Sequence, residues 1–267
     1  MPKFSILTSV CIQHELKQKQ LMRCHRSIKS QSFQDWEWII VNDGGSIPNL
    51  CESKKRFVIE LPHHERIVAL DRALEEAKGD WLIFLDADDE FFGHTLECID
   101  QMIKKNPGFK MFNFESVHIG KNYNGRVRGA FKPKKEKVGH EMFGGGNICN
   151  GTFVFHKSIY KDLGGFPPTG KIKDESGNRD FLYMSNPWDF SIAAQIEFPE
   201  IKQYFLVPKA EQKTKVAREL GNPWGNDYYI FYKYTRKYHS KPYDAPLLIV
   251  HHEGKLADGA HYVEKTN

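Results

Sequence analysis

Across its first hundred residues the chain alternates short apolar runs with longer stretches of helical periodicity. Phe4 to Val10 is an apolar run of strand length, and Gln18 to Gln31 carries Leu21, Cys24 and Ile28 at helical spacing. Trp38-Ile-Ile-Val41 is a short β-branched run closed by the turn signal Asn42-Asp43-Gly44-Gly45, and Arg56 to Glu60 reads as a third strand. Leu70, Ala73, Leu74 and Ala77 then recur at one helical face, stopped by Gly79. Trp81 to Leu85 is a fourth strand, and Leu96, Ile99 and Ile103 mark the helix after it. Such alternation predicts an α/β fold, a doubly wound and mostly parallel sheet with helices on both faces. Ligands in these sheets bind beyond the carboxyl ends of the strands. Asn42-Asp43 and Asp86-Ala87-Asp88-Asp89 both stand at such ends, which predicts that they share one edge.

The second half is less regular. Met111 to Val117 and Thr152 to Phe155 read as strands, Lys157 to Leu163 as a short helix closed by Gly164-Gly165, and Leu247 to Val250 as a last strand. Gly144-Gly-Gly146 breaks the chain, residues 167–187 read as a long polar loop, and Trp188 to Ile196 and Gly225 to Tyr238 as helices. At 267 residues the chain suits one α/β domain with a C-terminal extension. The boundaries expected are 1–205 for the domain and 206–267 for a basic, aromatic extension packed on it.

The five cysteines are odd in number and contain no C-x-x-C pair, which argues against a disulfide framework and for a reducing cytoplasm. No stretch approaches the roughly 18 apolar residues of a membrane span, so any membrane contact is expected to be peripheral.

The run Leu82-Ile-Phe-Leu-Asp-Ala-Asp-Asp89 places three carboxylates just beyond a buried strand. Burying them without partners is costly, so they face solvent or hold a cation. Hard oxygen ligands on a short turn suit Mg²⁺ or Mn²⁺, which usually bridge phosphate oxygens as well. Taken alone, the same residues would equally serve as an acidic loop capping the next helix.

They do not stand alone. The segment Lys29-Ser-Gln-Ser-Phe-Gln-Asp-Trp-Glu-Trp-Ile-Ile-Val-Asn-Asp-Gly44 resembles the second-strand region of inverting family-2 glycosyltransferases with the GT-A fold. Ala73-Leu-Glu-Glu-Ala-Lys-Gly-Asp-Trp-Leu-Ile-Phe-Leu-Asp-Ala-Asp-Asp89 and Leu163-Gly-Gly-Phe166 follow in the family's order, and the resemblance covers about residues 3 to 200. It implies metal-dependent transfer of a sugar from a nucleotide-diphosphate donor, most often UDP-linked, to an acceptor hydroxyl. Residues 1–110 would form the donor half and 111–205 the acceptor half. Further implications follow residue by residue.

Thr8-Ser9-Val10 matches the segment that holds the donor base, without the family's aromatic residue. Asp43 matches the carboxylate on the base, although an Asx-turn would favour the same Asp-Gly-Gly sequence. Asp86 falls near the donor ribose, Asp88 at the metal, and Asp89 either behind that site or as a helix cap. Arg66 falls near the donor or at the surface. Some relatives close the metal site from the C-terminal segment, which makes His252 a candidate ligand beside His251, with a surface or core role as the alternative. Inversion needs a carboxylate to take the acceptor proton. Asp189 is the acid at the matching helix start, with Asp174, Glu175 and Asp180 as competitors in the preceding loop. Trp188 suits stacking on a sugar face or the core, and Asn147 an acceptor contact or a turn.

Two stretches are strongly basic. Lys121 to Lys137 has seven Lys/Arg and one Glu, and Lys209 to Lys241 has eight Lys/Arg and three Asp/Glu interleaved with aromatics. Solvated faces account for most such runs. The functional alternative is an anionic acceptor, whether a phosphorylated glycan, a lipid phosphate or a nucleic acid. Nucleotidyltransferases fit less well, since Thr8-Ser-Val-Cys-Ile-Gln13 lacks their glycine loop. A non-catalytic nucleotide- or glycan-binding module remains a third reading.

Overall fold

β1 (Phe4–Ile12) is buried at most of its positions and lies inside the sheet, flanked on both sides by parallel partners. The computed structural model describes residues 1–12, 14–48, 50, 55–61, 66–120, 123–130, 151–165, 170–172, 179–181, 234 and 237–253. After β1 come α1 (Glu15–Lys29), β2 (Trp36–Gly45), β3 (Arg56–Glu60), α2 (Arg66–Glu76) and β4 (Trp81–Phe84). These are followed by β5 (Glu90–Phe91), α3 (Thr95–Lys105), β6 (Met111–Ile119), β7 (Arg126–Arg128), β8 (Phe153–His156) and α4 (Lys157–Leu163). The last sheet strand is β11 (Lys241–His251), and a separate ribbon pairs β9 (Gly170–Ile172) with β10 (Arg179–Phe181).

The sheet order is β3-β2-β1-β4-β8-β6-β11-β5, with β7 on β6. Strands β3, β2, β1, β4, β6 and β11 run one way, and β8, β7 and β5 oppose them. The mostly parallel, doubly wound sheet that the sequence predicts is present.

Strand alternation sorts side chains onto two faces. Phe4, Ile6, Val10 and Ile12 of β1, with Trp36, Trp38 and Ile40 of β2 and Trp81 and Ile83 of β4, join α1 and α3 in one core. Leu21, Cys24 and Ile28 supply the α1 stripe, and Leu96, Ile99 and Met102 that of α3. Each such apolar side chain, fully buried, contributes about 1.5–3 kcal/mol. On the other face α2 packs on β1 and β2, with Ala69, Leu70, Ala73 and Leu74 buried.

Gly79, expected as a helix stop, has a different role, because α2 already ends at Glu76. A Cβ at Gly79 would lie 2.6 Å from both the Ser5 nitrogen and Oγ and 2.7 Å from the Phe4 carbonyl carbon. Only glycine lets this crossing approach the first strand. At the end of β2, Gly45 adopts φ +85° and a Cβ there would meet the Ile12 carbonyl oxygen at 2.0 Å, so the two strand ends can lie side by side.

Three local expectations are revised. The basic loop after Lys121 contains β7, which turns back antiparallel on β6 through Asn124 and Gly125. β11 begins at Lys241 rather than Leu247, and it lies inside the sheet between β6 and β5 instead of on the domain as an extension. Asp89 caps no helix: α3 begins at Thr95 with His94 at its N-cap. No described helix is long and apolar enough to cross a membrane.

Candidate active site

Because β1, β2, β4, β6 and β11 are parallel, their carboxyl ends open on one edge of the sheet. That edge collects Ser9, Asp43, the Asp86–Asp89 turn, His118 and His251-His252. Residues from the ends of five strands stand along it.

The acidic turn begins where Leu85 donates its N–H to the Leu7 carbonyl at 2.9 Å, one residue past the last pairing of β4 with β1. The Asp89 N–H closes it on the Asp86 carbonyl at 3.0 Å. Asp86 and Asp88 are half-buried, whereas Asp89 is only 4% exposed. Lys17, in the first turns of α1, brings its Nζ to 3.6 Å from Asp88 Oδ2. Arg23, farther along the same helix, donates to the Asp88 carbonyl at 2.8 Å. Burial pushes the Cys24 thiol well above its usual range, and Asp89, Asp88 and Asp86 add to the effect, as expected if their fields converge on this stretch of α1.

Thr8 and Ser9 point to opposite faces. Thr8 is fully buried, and its Oγ1 accepts from the Trp38 indole N–H at 2.9 Å. Its side chain therefore braces the core beneath the edge. Ser9 is half-buried and pairs in register with Val41, two residues before Asp43. Asp43 ends the buried part of β2, and Gly44 and Gly45 follow it at positive φ. Asn42 ties β2 to β3: its Nδ2 donates to Glu60 Oε2 at 2.6 Å and to the Gly45 carbonyl at 2.9 Å. Arg66 is the first residue of α2.

His252 lies in a group of rings. Its Nε2 is 2.7 Å from His118 Nδ1, and its ring stacks on Tyr123 at 3.8 Å between centroids. His118 in turn meets Ser116 Oγ at 2.9 Å. His251 is buried with its ring 2.8 Å from Glu90 Oε1. Among the described residues no three His, Cys, Asp or Glu side chains come together as a metal cage.

The donor set at the turn nonetheless fits a hard cation. Two partly buried carboxylates on a short turn match ions that take one or two protein oxygens and complete their shell with phosphate and water. The Lys17 ammonium stands at ion-pair distance from Asp88.

Asp189, Trp188 and Asn147 lie outside the described residues, as do Asp174 and Glu175. Asp180 is in β10, in register with Lys171 of β9. Part of the second basic stretch has structural work. Tyr234 is buried with its hydroxyl on the Gly164 carbonyl at 3.1 Å, and Lys237 and Tyr238 both bond Asp162 Oδ2. Lys17, Arg23, Glu90 and Glu253 were not visible as site residues from sequence, since ordinary charged positions on a helix and at strand ends carry no motif.

Residues 9–164 match the family model described as glycosyl transferase family 2. The O-antigen biosynthesis protein RfbC of Myxococcus xanthus is 29% identical over 104 residues, covering 36% of this chain and 8% of that protein. The chain thus spans a small fraction of that curated relative's length. Among solved structures, S. aureus TarS superposes with a TM-score of 0.50 at 16% identity, over 82% of this chain and 43% of TarS. TarS 1–349 in complex with UDP-GlcNAc gives the same TM-score and identity, over 82% of this chain and 72% of that one. At that identity the likeness shows the fold alone.

Proposed function

The chain belongs to glycosyl transferase family 2, and from that premise we propose that it moves a sugar from a UDP-linked donor to an acceptor hydroxyl of a glycan, with inversion. The observation that carries this reading is the shared edge: Asp86 and Asp88 at the end of β4 beside Ser9 of β1 and Asp43 of β2. The UDP-GlcNAc complex of TarS and the O-antigen role of RfbC support the donor and acceptor classes.

In this reading Asp43 and Ser9 hold the base, Asp86 the ribose, and Asp88 a Mn²⁺ or Mg²⁺ ion. Arg66, at the start of α2, is assigned to donor binding on the resemblance. Held there, such an ion would supply charge neutralisation for the departing diphosphate. Lys17 lies close enough to Asp88 to add positive charge to the same locus. Asp189 takes the proton of the acceptor hydroxyl, and the sugar's anomeric carbon is attacked from the face opposite the leaving group. Trp188 and Asn147 line the acceptor side, residues 1–110 form the donor half and 111–205 the acceptor half, and the protein works in the cytoplasm.

Hydrolysis of UDP-sugars in Mn²⁺ tests the donor assignment without knowledge of the acceptor. Asp88→Asn is expected to lower it about 100-fold or more. Unaltered hydrolysis in that variant would overturn the role given to Asp88. Asp189→Asn is expected to reduce transfer to a true acceptor by about 10²–10⁴-fold while UDP still binds.

A further inference from the structure

β11 returns to the acidic turn with contacts unlike those that build the core. Arg23 donates one guanidinium nitrogen to the Asp88 carbonyl at 2.8 Å and another to both carboxylate oxygens of Glu253, at 2.9 and 3.0 Å. From the other side the His251 N–H donates to Asp89 Oδ1 at 3.1 Å, and the His251 ring sits 2.8 Å from Glu90 Oε1. Beyond the turn, β5 is hydrogen-bonded to β11, with Phe91 opposite Leu248 and Glu90 opposite Ile249. The turn is therefore gripped by a residue 65 positions before it and another 162 positions after it.

The bonding pattern matters. Three carboxylates on four successive residues repel one another, so their arrangement depends on what holds the turn. Arg23 bonds the main-chain carbonyl of Asp88, so it holds the backbone of the turn. Asp89 turns inward to β11, while Asp86 and Asp88 keep part of their surface exposed.

We propose that Arg23, His251 and Glu253 form a clamp through which the last strand sets the shape of the acidic turn and so presents Asp86 and Asp88 to a divalent cation and a nucleoside diphosphate. The identity of the ligand rests on the functional reading above; the clamp rests on the geometry. All three are positioning residues that act through the turn.

The experiment compares wild type, Arg23→Lys, Glu253→Ala and the surface control Arg72→Ala. It uses hydrogen–deuterium exchange over residues 85–91, Mn²⁺·UDP binding by electron paramagnetic resonance, and donor-hydrolysis kinetics. Arg23→Lys keeps the charge but cannot span Glu253 and the Asp88 carbonyl together. In both clamp variants exchange over 85–91 is expected to quicken about tenfold while β2 and α2 stay as in wild type. The Mn²⁺·UDP Kd and the donor KM are expected to rise about tenfold, with kcat changed less. Exchange at wild-type rates in Arg23→Lys overturns the clamp. Faster exchange with unchanged Mn²⁺·UDP affinity overturns its positioning role. Should wild type itself take up no Mn²⁺·UDP, the functional reading of the turn fails, and the exchange data still decide the clamp.

Discussion

At the scale of single residues, the edge opposite the candidate site shows how closely the sheet is fitted. Glu37 is buried, and its Oε1 accepts from the Lys78 N–H at 2.6 Å, the Gly79 N–H at 3.2 Å and Ser5 Oγ at 2.5 Å. Glu37→Ala removes the acceptor of the Lys78 N–H and the Ser5 hydroxyl, while the Gly79 N–H keeps Ser5 Oγ at 2.8 Å, and unfolding in urea should show a loss of about 1–3 kcal/mol. Gly79→Ala meets the backbone of Phe4 and Ser5 as well as the Ser5 hydroxyl, so it should cost about 1–3 kcal/mol or more by the same measurement. Two histidines predict a pH dependence. Burial, then Arg56, Lys29 and Arg26, holds His25 below the usual 6.5, and burial with Lys110 and Lys161 outweighs Asp80 to do the same for His156. The unfolded chain therefore binds more protons just below that value. The stabilisation is complete above pH 6.5 and is lost as pH falls through the depressed folded values. Thermal unfolding from pH 7.5 to pH 5 should show a declining midpoint, and a double His25→Gln, His156→Gln variant a shallower decline.

At the scale of elements, the helices and long strands were legible because their apolar residues repeat with the period of the structure. α1 buries Leu21, Cys24 and Ile28 as their spacing predicts, and α3 buries Leu96 and Ile99. The missed elements carry no such period. β7 is exposed at all of its positions, and β5 is too short to show alternation. β11 contains Pro242 and Pro246, which argue against a central strand. The structure resolves the conflict by shifting register on either side of Pro246. Thr95, at the start of α3, donates its hydroxyl to the Leu247 carbonyl at 2.6 Å and so joins that helix to β11. Both groups are buried, and Thr95→Val should lower the urea midpoint by an amount equivalent to about 1–2 kcal/mol.

At the scale of the molecule, the donor edge depends on the far end of the chain. β11 separates β6 from β5 and buries Leu247, Leu248 and Val250. A chain ending at residue 240 should lack a single cooperative thermal transition by circular dichroism, because two strands and the core beneath them lose their partner. The sequence by itself determined the alternation of strands and helices, the parallel sheet, and the polar clusters at strand ends. All of these follow from local periodicity and from the side-chain chemistry of neighbouring residues. Thr8 and Ser9 already part company, since adjacent residues on a strand face opposite ways and only packing tells which side is core. That Arg23, Asp88, His251 and Glu253 share one locus was decided by the tertiary structure alone. Sheet order places residues hundreds of positions apart within hydrogen-bonding distance, and no local pattern in a single sequence records which strand ends up beside which.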